Sequence, residues 1–99
     1  MCDKYNKKII SYNNENVFII FYRPDCMFCI NSLKLLKINK LQFKGYNVNN
    51  IKNSKNMFDC FKLEKNTTYY NETHRTIPTI FYKGKFIGGY TELKKYINS

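Results

Sequence analysis

An unbroken apolar run, Val17 to Tyr22 (VFIIFY), stops at Arg23-Pro24 and is followed by an amphipathic stretch that Cys26 and Cys29 open. A run of β-formers with no polar alternation predicts a strand buried on both faces. Such a strand needs cover above and below, so the rest of the chain must supply helices. Cys29, Leu33 and Leu36 line one helical face with Ile30 beside it, which predicts a helix from Met27 to Ile38. Before the strand, Tyr5, Ile9 and Tyr12 recur at helical spacing and predict a first helix ending at the Asn13-Asn14 turn. After it, Leu41 to Val48 (LQFKGYNV) reads as a second strand weakened by Gly45, and Ser54 to Lys65 as a third helix on which Met57, Cys60 and Phe61 share a face. Asn66 to Arg75 has no apolar period and reads as a loop. Thr76 to Gly89 (TIPTIFYKGKFIGG) holds two strands joined by a turn at Lys83-Gly84. A last helix is expected with Thr91 as its N-cap and Leu93, Tyr96 and Ile97 turned inward. The order αβαβαββα predicts an α/β fold with one parallel pair around a helix and an antiparallel hairpin supplying edges.

The 99 residues fit one domain, spanning 1–99, with no internal repeat and no linker. The formal charge of +10 comes from lysines that stand singly or in pairs. They read as a solvated surface that attracts anions, and a nucleic-acid module would rest on charge alone. No apolar stretch approaches the roughly 18 residues of a membrane span, so no membrane association is expected. The start of the chain lacks the continuous apolar centre of a secretory signal, and a cytoplasmic location is expected. There the glycosylation patterns at Asn66 (NTT) and Asn71 (NET) carry no meaning, and C-x-x-C is catalytic or metal-binding rather than part of a disulfide framework.

Cys26 falls where a buried strand ends and a helix begins, so free backbone N–H groups and the positive end of the helix dipole favour a thiolate. Cys29 lies one turn deeper, where its thiol can donate to the Cys26 sulfur and later attack it. Cys26 is thus expected to be the exposed nucleophile and Cys29 the resolving thiol. Arg23 adds a nearby cation, and the Asp25 carboxylate is expected to face water or pair with a lysine. A structural zinc site would need further ligands from Cys2, read as a loose-tail residue, Cys60, read as a small core residue, or His74, read as a solvated loop residue. There is no second C-x-x-C, and no protein-only metal site is expected. A helix-activated thiolate needs no base, so His74 is not assigned that role. Pro78 stands at a strand entrance; with a cis bond, Ile77 would turn its N–H and C=O outward to pair with an extended, peptide-like ligand. Gly88-Gly89 allow close backbone approach and leave N–H groups at the last helix for a carboxylate.

Together with Arg-Thr-Ile-Pro at 75–78 and Gly-Lys-Phe-Ile-Gly-Gly at 84–89, these motifs make the sequence resemble the glutaredoxins from Val17 to Ile97, with a matching helix before. The resemblance implies a thioredoxin-like fold, a four-stranded mixed sheet flanked by helices, with Pro78 cis. It implies a glutathione-dependent thiol–disulfide oxidoreductase acting on disulfide-containing or glutathionylated proteins as a monomer. In that reading Cys26 takes up glutathione as a mixed disulfide and Cys29 resolves dithiol reactions. Arg23 and Arg75 match basic positions near the glutathione glycine carboxylate, Ile77 and Pro78 the strand-like contact, and Phe28 the aromatic between the cysteines. Gly89, Tyr90 and Thr91 match the segment that holds the γ-glutamyl end. The family's glutamine on the preceding helix has no clear counterpart. Many dithiol members carry Pro-Tyr where this chain has Met27-Phe28, and losing the proline restores a backbone donor and frees the loop. Members lacking it more often hold a [2Fe–2S] cluster between two subunits through the first cysteine and glutathione, so a glutathione-ligated cluster protein, a carrier or sensor with Cys26 as ligand in a dimer, is the alternative. Arg-Pro-Asp-Cys is also similar to glutaredoxin-like, thioredoxin-dependent donors to ribonucleotide reductase, but the intact Gly-Gly-Tyr-Thr-Glu-Leu favours glutathione.

Overall fold

A computed structural model describes residues 2–51 and 54–99. The elements are α1 (Asp3–Ile10), β1 (Phe18–Tyr22), α2 (Met27–Ile38), β2 (Phe43–Asn47), α3 (Met57–Leu63), α4 (Lys65–Thr68), β3 (Thr79–Tyr82), β4 (Lys85–Gly88) and α5 (Tyr90–Asn98). Short 3-10 turns at Val48–Asn50 and Ser54–Asn56 join β2 to α3.

The four strands lie in the order β2-β1-β3-β4. The apolar run is the reason: β1 takes a central place, parallel to β2 (Phe18 beside Phe43) and antiparallel to β3 (Ile20 beside Ile80). Its side chains alternate between two cores. Ile19 and Phe21 point to one face, packed with Tyr5 and Ile9 of α1, Met57, Cys60 and Phe61 of α3, and Phe81. Phe18 and Ile20 point to the other, packed with Leu36 of α2, Ile80 and Leu93 of α5. Burying each such side chain contributes about 1.5–3 kcal/mol, which is why the sheet is covered on both faces. The mixed sheet with flanking helices is the thioredoxin-like arrangement expected.

Several local expectations are corrected. The stretch read as one helix from Ser54 to Lys65 is a 3-10 turn, then α3, then a break at Glu64. The supposed loop after it opens with α4, where the Thr68 hydroxyl donates to the Glu64 carbonyl and Tyr69 ends the turn at φ 61. Tyr70 beyond it is buried against Phe61 and Phe81. The hairpin supplies one edge and not two: β3 is internal, and the sheet's edges are β4 and β2. Gly89, not Thr91, caps α5, and the Glu92 carboxylate accepts from the Gly89 N–H at 2.7 Å. Leu93 is buried as expected, whereas Tyr96 stays 46% exposed with its ring edge toward Phe18.

Cys2 and Cys60 overturn their sequence reading. They are joined by a disulfide between the N-cap of α1 and the middle of α3, 58 residues apart in sequence. Cys60 is buried as expected, but as half of a cross-link.

Candidate active site

Cys26 is the N-cap of α2, in an extended conformation (φ −92, ψ 119), so its side chain turns back over the first turn. Its Sγ accepts a hydrogen bond from the Cys29 N–H at 3.2 Å. From the other side, the Cys26 thiol donates to the Ile77 carbonyl at 3.7 Å. Ile77 therefore presents its carbonyl to the sulfur rather than leaving both groups free, as the sequence had suggested; its N–H has no acceptor among the described residues. Charge on the sulfur would keep the N–H contact and lose the carbonyl one, so the two groups serve different protonation states.

Beneath it, Cys29 is fully buried and reduced. Burial pushes its thiol up to about 12, the hydrogen bond and charge of Cys26 add to this, and Arg23 acts in the opposite direction. Met27 (66% exposed) and Phe28 (60%) give the mouth an apolar rim. Asp25 is exposed, as expected.

The Ile77–Pro78 bond is cis, and the Thr79 hydroxyl donates to the Thr76 carbonyl just behind it. Thr76 and Ile77 form a ridge between two clefts. The first, about 380 Å³, is lined by Arg23, Cys26, Met57, Phe58, Arg75 and Ile77 among others. The second, about 220 Å³, is lined by Phe28, His74, Pro78, Gly89, Tyr90, Thr91 and Glu92 beside that ridge. All the predicted site residues except buried Cys29 thus line one cleft or the other. Arg75 is tied down, its Nη1 3.1 Å from Asp59 Oδ1 and its guanidinium 5.5 Å from the centre of the Phe58 ring.

A family model described as glutaredoxin matches residues 18–87. The chain belongs to the glutaredoxin family. Over 86 residues it is 43% identical to the "Probable glutaredoxin" of Acanthamoeba polyphaga mimivirus, covering 86% of this chain and 81% of that protein. The fold is also that of a buckwheat glutaredoxin solved as a glutathione complex (TM-score 0.71, 20% identity, 98% of this chain and 83% of the other). A dithiolic glutaredoxin from Trypanosoma brucei brucei has it as well (TM-score 0.69, 20% identity, 94% and 84%). Family and fold make this glutaredoxin a thiol–disulfide oxidoreductase, with Cys26 and Cys29 as its redox-active pair.

Some lining residues escaped the sequence reading. His74 is not a solvated loop residue: it is half-buried, its Nε2 lies 3.3 Å from the Pro78 carbonyl, and its ring stands 5.1 Å from that of Phe86. No local signal announces that packing, which comes from β4. Glu92 was legible in principle, since a glutamate three residues after a helix cap reaches back to the cap N–H. Met57 was assigned only to the core and Phe58 to no role, yet their helix also forms a cleft wall.

Among the described residues no three His, Cys, Asp or Glu side chains gather as a metal site. For a [2Fe–2S] cluster shared between two subunits, each chain would offer the Cys26 sulfur, and glutathione would have to supply the other ligand.

Proposed function

We propose that this glutaredoxin reduces glutathione mixed disulfides and protein disulfides at Cys26, with glutathione as its reductant. One observation carries the reading: a reachable free thiol, Cys26, held by a backbone donor, stands at the ridge between two clefts of matching polarity. The cleft with Arg23 and Arg75 suits a carboxylate, and the one with Gly89, Tyr90 and Thr91 suits a zwitterionic end at a helix start. Ile77 offers its free N–H as an added strand would use it. The buckwheat relative solved with glutathione supports the same ligand.

In this mechanism the Cys26 thiolate attacks the glutathione sulfur of a mixed disulfide. A bond forms between Cys26 and glutathione, the old disulfide breaks, and the substrate thiolate leaves and takes a proton. A second glutathione thiolate attacks the bound glutathione sulfur, releasing glutathione disulfide and the Cys26 thiolate. For a protein disulfide, Cys26 joins one substrate sulfur and expels the other as a thiolate; Cys29 then attacks Cys26, releasing the second substrate thiolate and closing Cys26–Cys29, which two glutathiones reopen with release of glutathione disulfide. Burial is the first cause of the high Cys29 pKa, but the hydrogen bond and charge of Cys26 also contribute, and these vanish once Cys26 is bonded to substrate. The resolving thiol is thereby quiet at rest and more easily ionised when needed.

We further read the chain as a single-domain monomer working in a glutathione-rich compartment such as the cytoplasm. Incubation of Cys29→Ser with glutathione disulfide tests the reading: it should trap one glutathione on Cys26 by mass, and Cys26→Ser should trap none there. Equal labelling of the two variants, or label at another residue in both, would refute it.

A further inference from the structure

The bond between Cys2 and Cys60 is not used by the exchange steps at Cys26. Its two sulfurs differ in access. Cys60 is 3% exposed within the larger core, whereas Cys2 is half-buried at the edge of that core. An attacking thiolate must approach along the sulfur–sulfur axis, so the core closes the approach to Cys60 and leaves the one to Cys2. The other end of the bond reaches the active site. Cys60 follows Met57 and Phe58, which line the first cleft, and Asp59, which holds Arg75.

We propose that Cys2–Cys60 is a second redox site, a clasp of α1 on α3 that glutathione opens from the Cys2 side and whose opening loosens the cleft wall. In opening, a glutathione thiolate attacks the Cys2 sulfur and the Cys2–Cys60 bond breaks. Cys60 leaves as a thiolate and takes a proton from water, while Cys2 holds glutathione as a mixed disulfide. A second glutathione thiolate attacks the glutathione sulfur, and Cys2 is freed with release of glutathione disulfide. Two electrons pass from two glutathiones to the clasp, and closing is the reverse with glutathione disulfide as oxidant. Expelling a buried thiolate is unfavourable, so opening is slow, and the buried Cys60 thiol, once protonated, is a poor nucleophile, so closing is slow as well. The protein thus carries one pair that turns over and one that records the thiol balance around it.

The test uses Cys26→Ser/Cys29→Ser, in which only the clasp can exchange, equilibrated at rising ratios of glutathione to glutathione disulfide. Alkylation and mass analysis should show Cys2 and Cys60 becoming modifiable together. The melting temperature should fall by about 10 °C or more as they do, given the long loop the bond closes. Any mixed-disulfide intermediate should carry glutathione on Cys2. Both thiols free in glutathione disulfide alone, an unchanged melting temperature, or glutathione on Cys60 would each overturn the proposal. A second arm keeps Cys26 and Cys29 and compares Cys2→Ser with the parent. The variant should raise KM for a glutathionylated peptide several-fold with kcat within about twofold, and an unchanged KM overturns the coupling to the cleft. That arm rests on the glutathione reading, whereas the thiol count does not, so failure of one is distinguishable from failure of the other.

Discussion

Cys29 shows how one residue can be prepared for a step by its surroundings. Its thiol is raised from 9.0 to about 12, chiefly by burial, so in the resting reduced protein it stays protonated. Alkylation of the parent at neutral pH is therefore expected to modify Cys26 and leave Cys29 intact, as peptide mapping would read. The same shift has a stability consequence whose sign is fixed. Below pH 9 the thiol is protonated in both folded and unfolded chains and contributes no pH dependence. Between 9 and about 12 only the unfolded chain releases the proton, so stability is lost as pH rises through that window. The buried Tyr70, also pushed up to about 12, acts in the same direction. Denaturant midpoints of reduced protein should fall across this range, and less steeply in Cys29→Ser. The cysteine pair and Arg-Thr-Ile-Pro were legible because their meaning is local: a strand end, a helix start, a strand entrance. His74 was not, because the ring and carbonyl that hold it come from Phe86 and Pro78, whose positions only the tertiary fold decides.

Among the elements, the start of α5 is the most sharply constrained. Gly88 sits at φ 132, and a Cβ there would come within 2.6 Å of Glu92 Cγ. Gly88→Ala should cost about 1–3 kcal/mol by thermal or chemical denaturation, since both the backbone and the Glu92 side chain must move. The neighbouring Gly89 N–H is met by the Glu92 carboxylate. Glu92→Ala leaves that donor without its partner and should cost about 1–2 kcal/mol, while Glu92→Gln, which still accepts, should lose only a few tenths. The sequence placed this helix but mistook its cap, because Thr91 is a good capping residue and the decision went to backbone geometry at Gly88-Gly89 instead. α4 was missed for another reason. A helix of four residues is little more than one turn and has no period to read. Long elements with a full apolar face, β1 and α2, emerged within a residue of expectation.

At the scale of the molecule, the covered sheet follows from the apolar run in β1, and the topology from alternation of strands and helices. The Cys2–Cys60 bond did not follow, since pairing across 58 residues depends on how α1 settles on α3. The net charge of +10 acts over the whole surface. An anionic tripeptide should be drawn to it, so raising salt is expected to increase KM for glutathione with little change in kcat, an effect that screening on the scale of about 8 Å at physiological ionic strength makes measurable. In the proposed mechanism a single sulfur, at the join of β1 and α2, does the exchange with glutathione. Turnover of a glutathionylated peptide, with glutathione and its reductase as the only electron source, measures this directly. Turnover is expected of the parent and of Cys29→Ser, and only background of Cys26→Ser. Parent-like turnover by Cys26→Ser would contradict it.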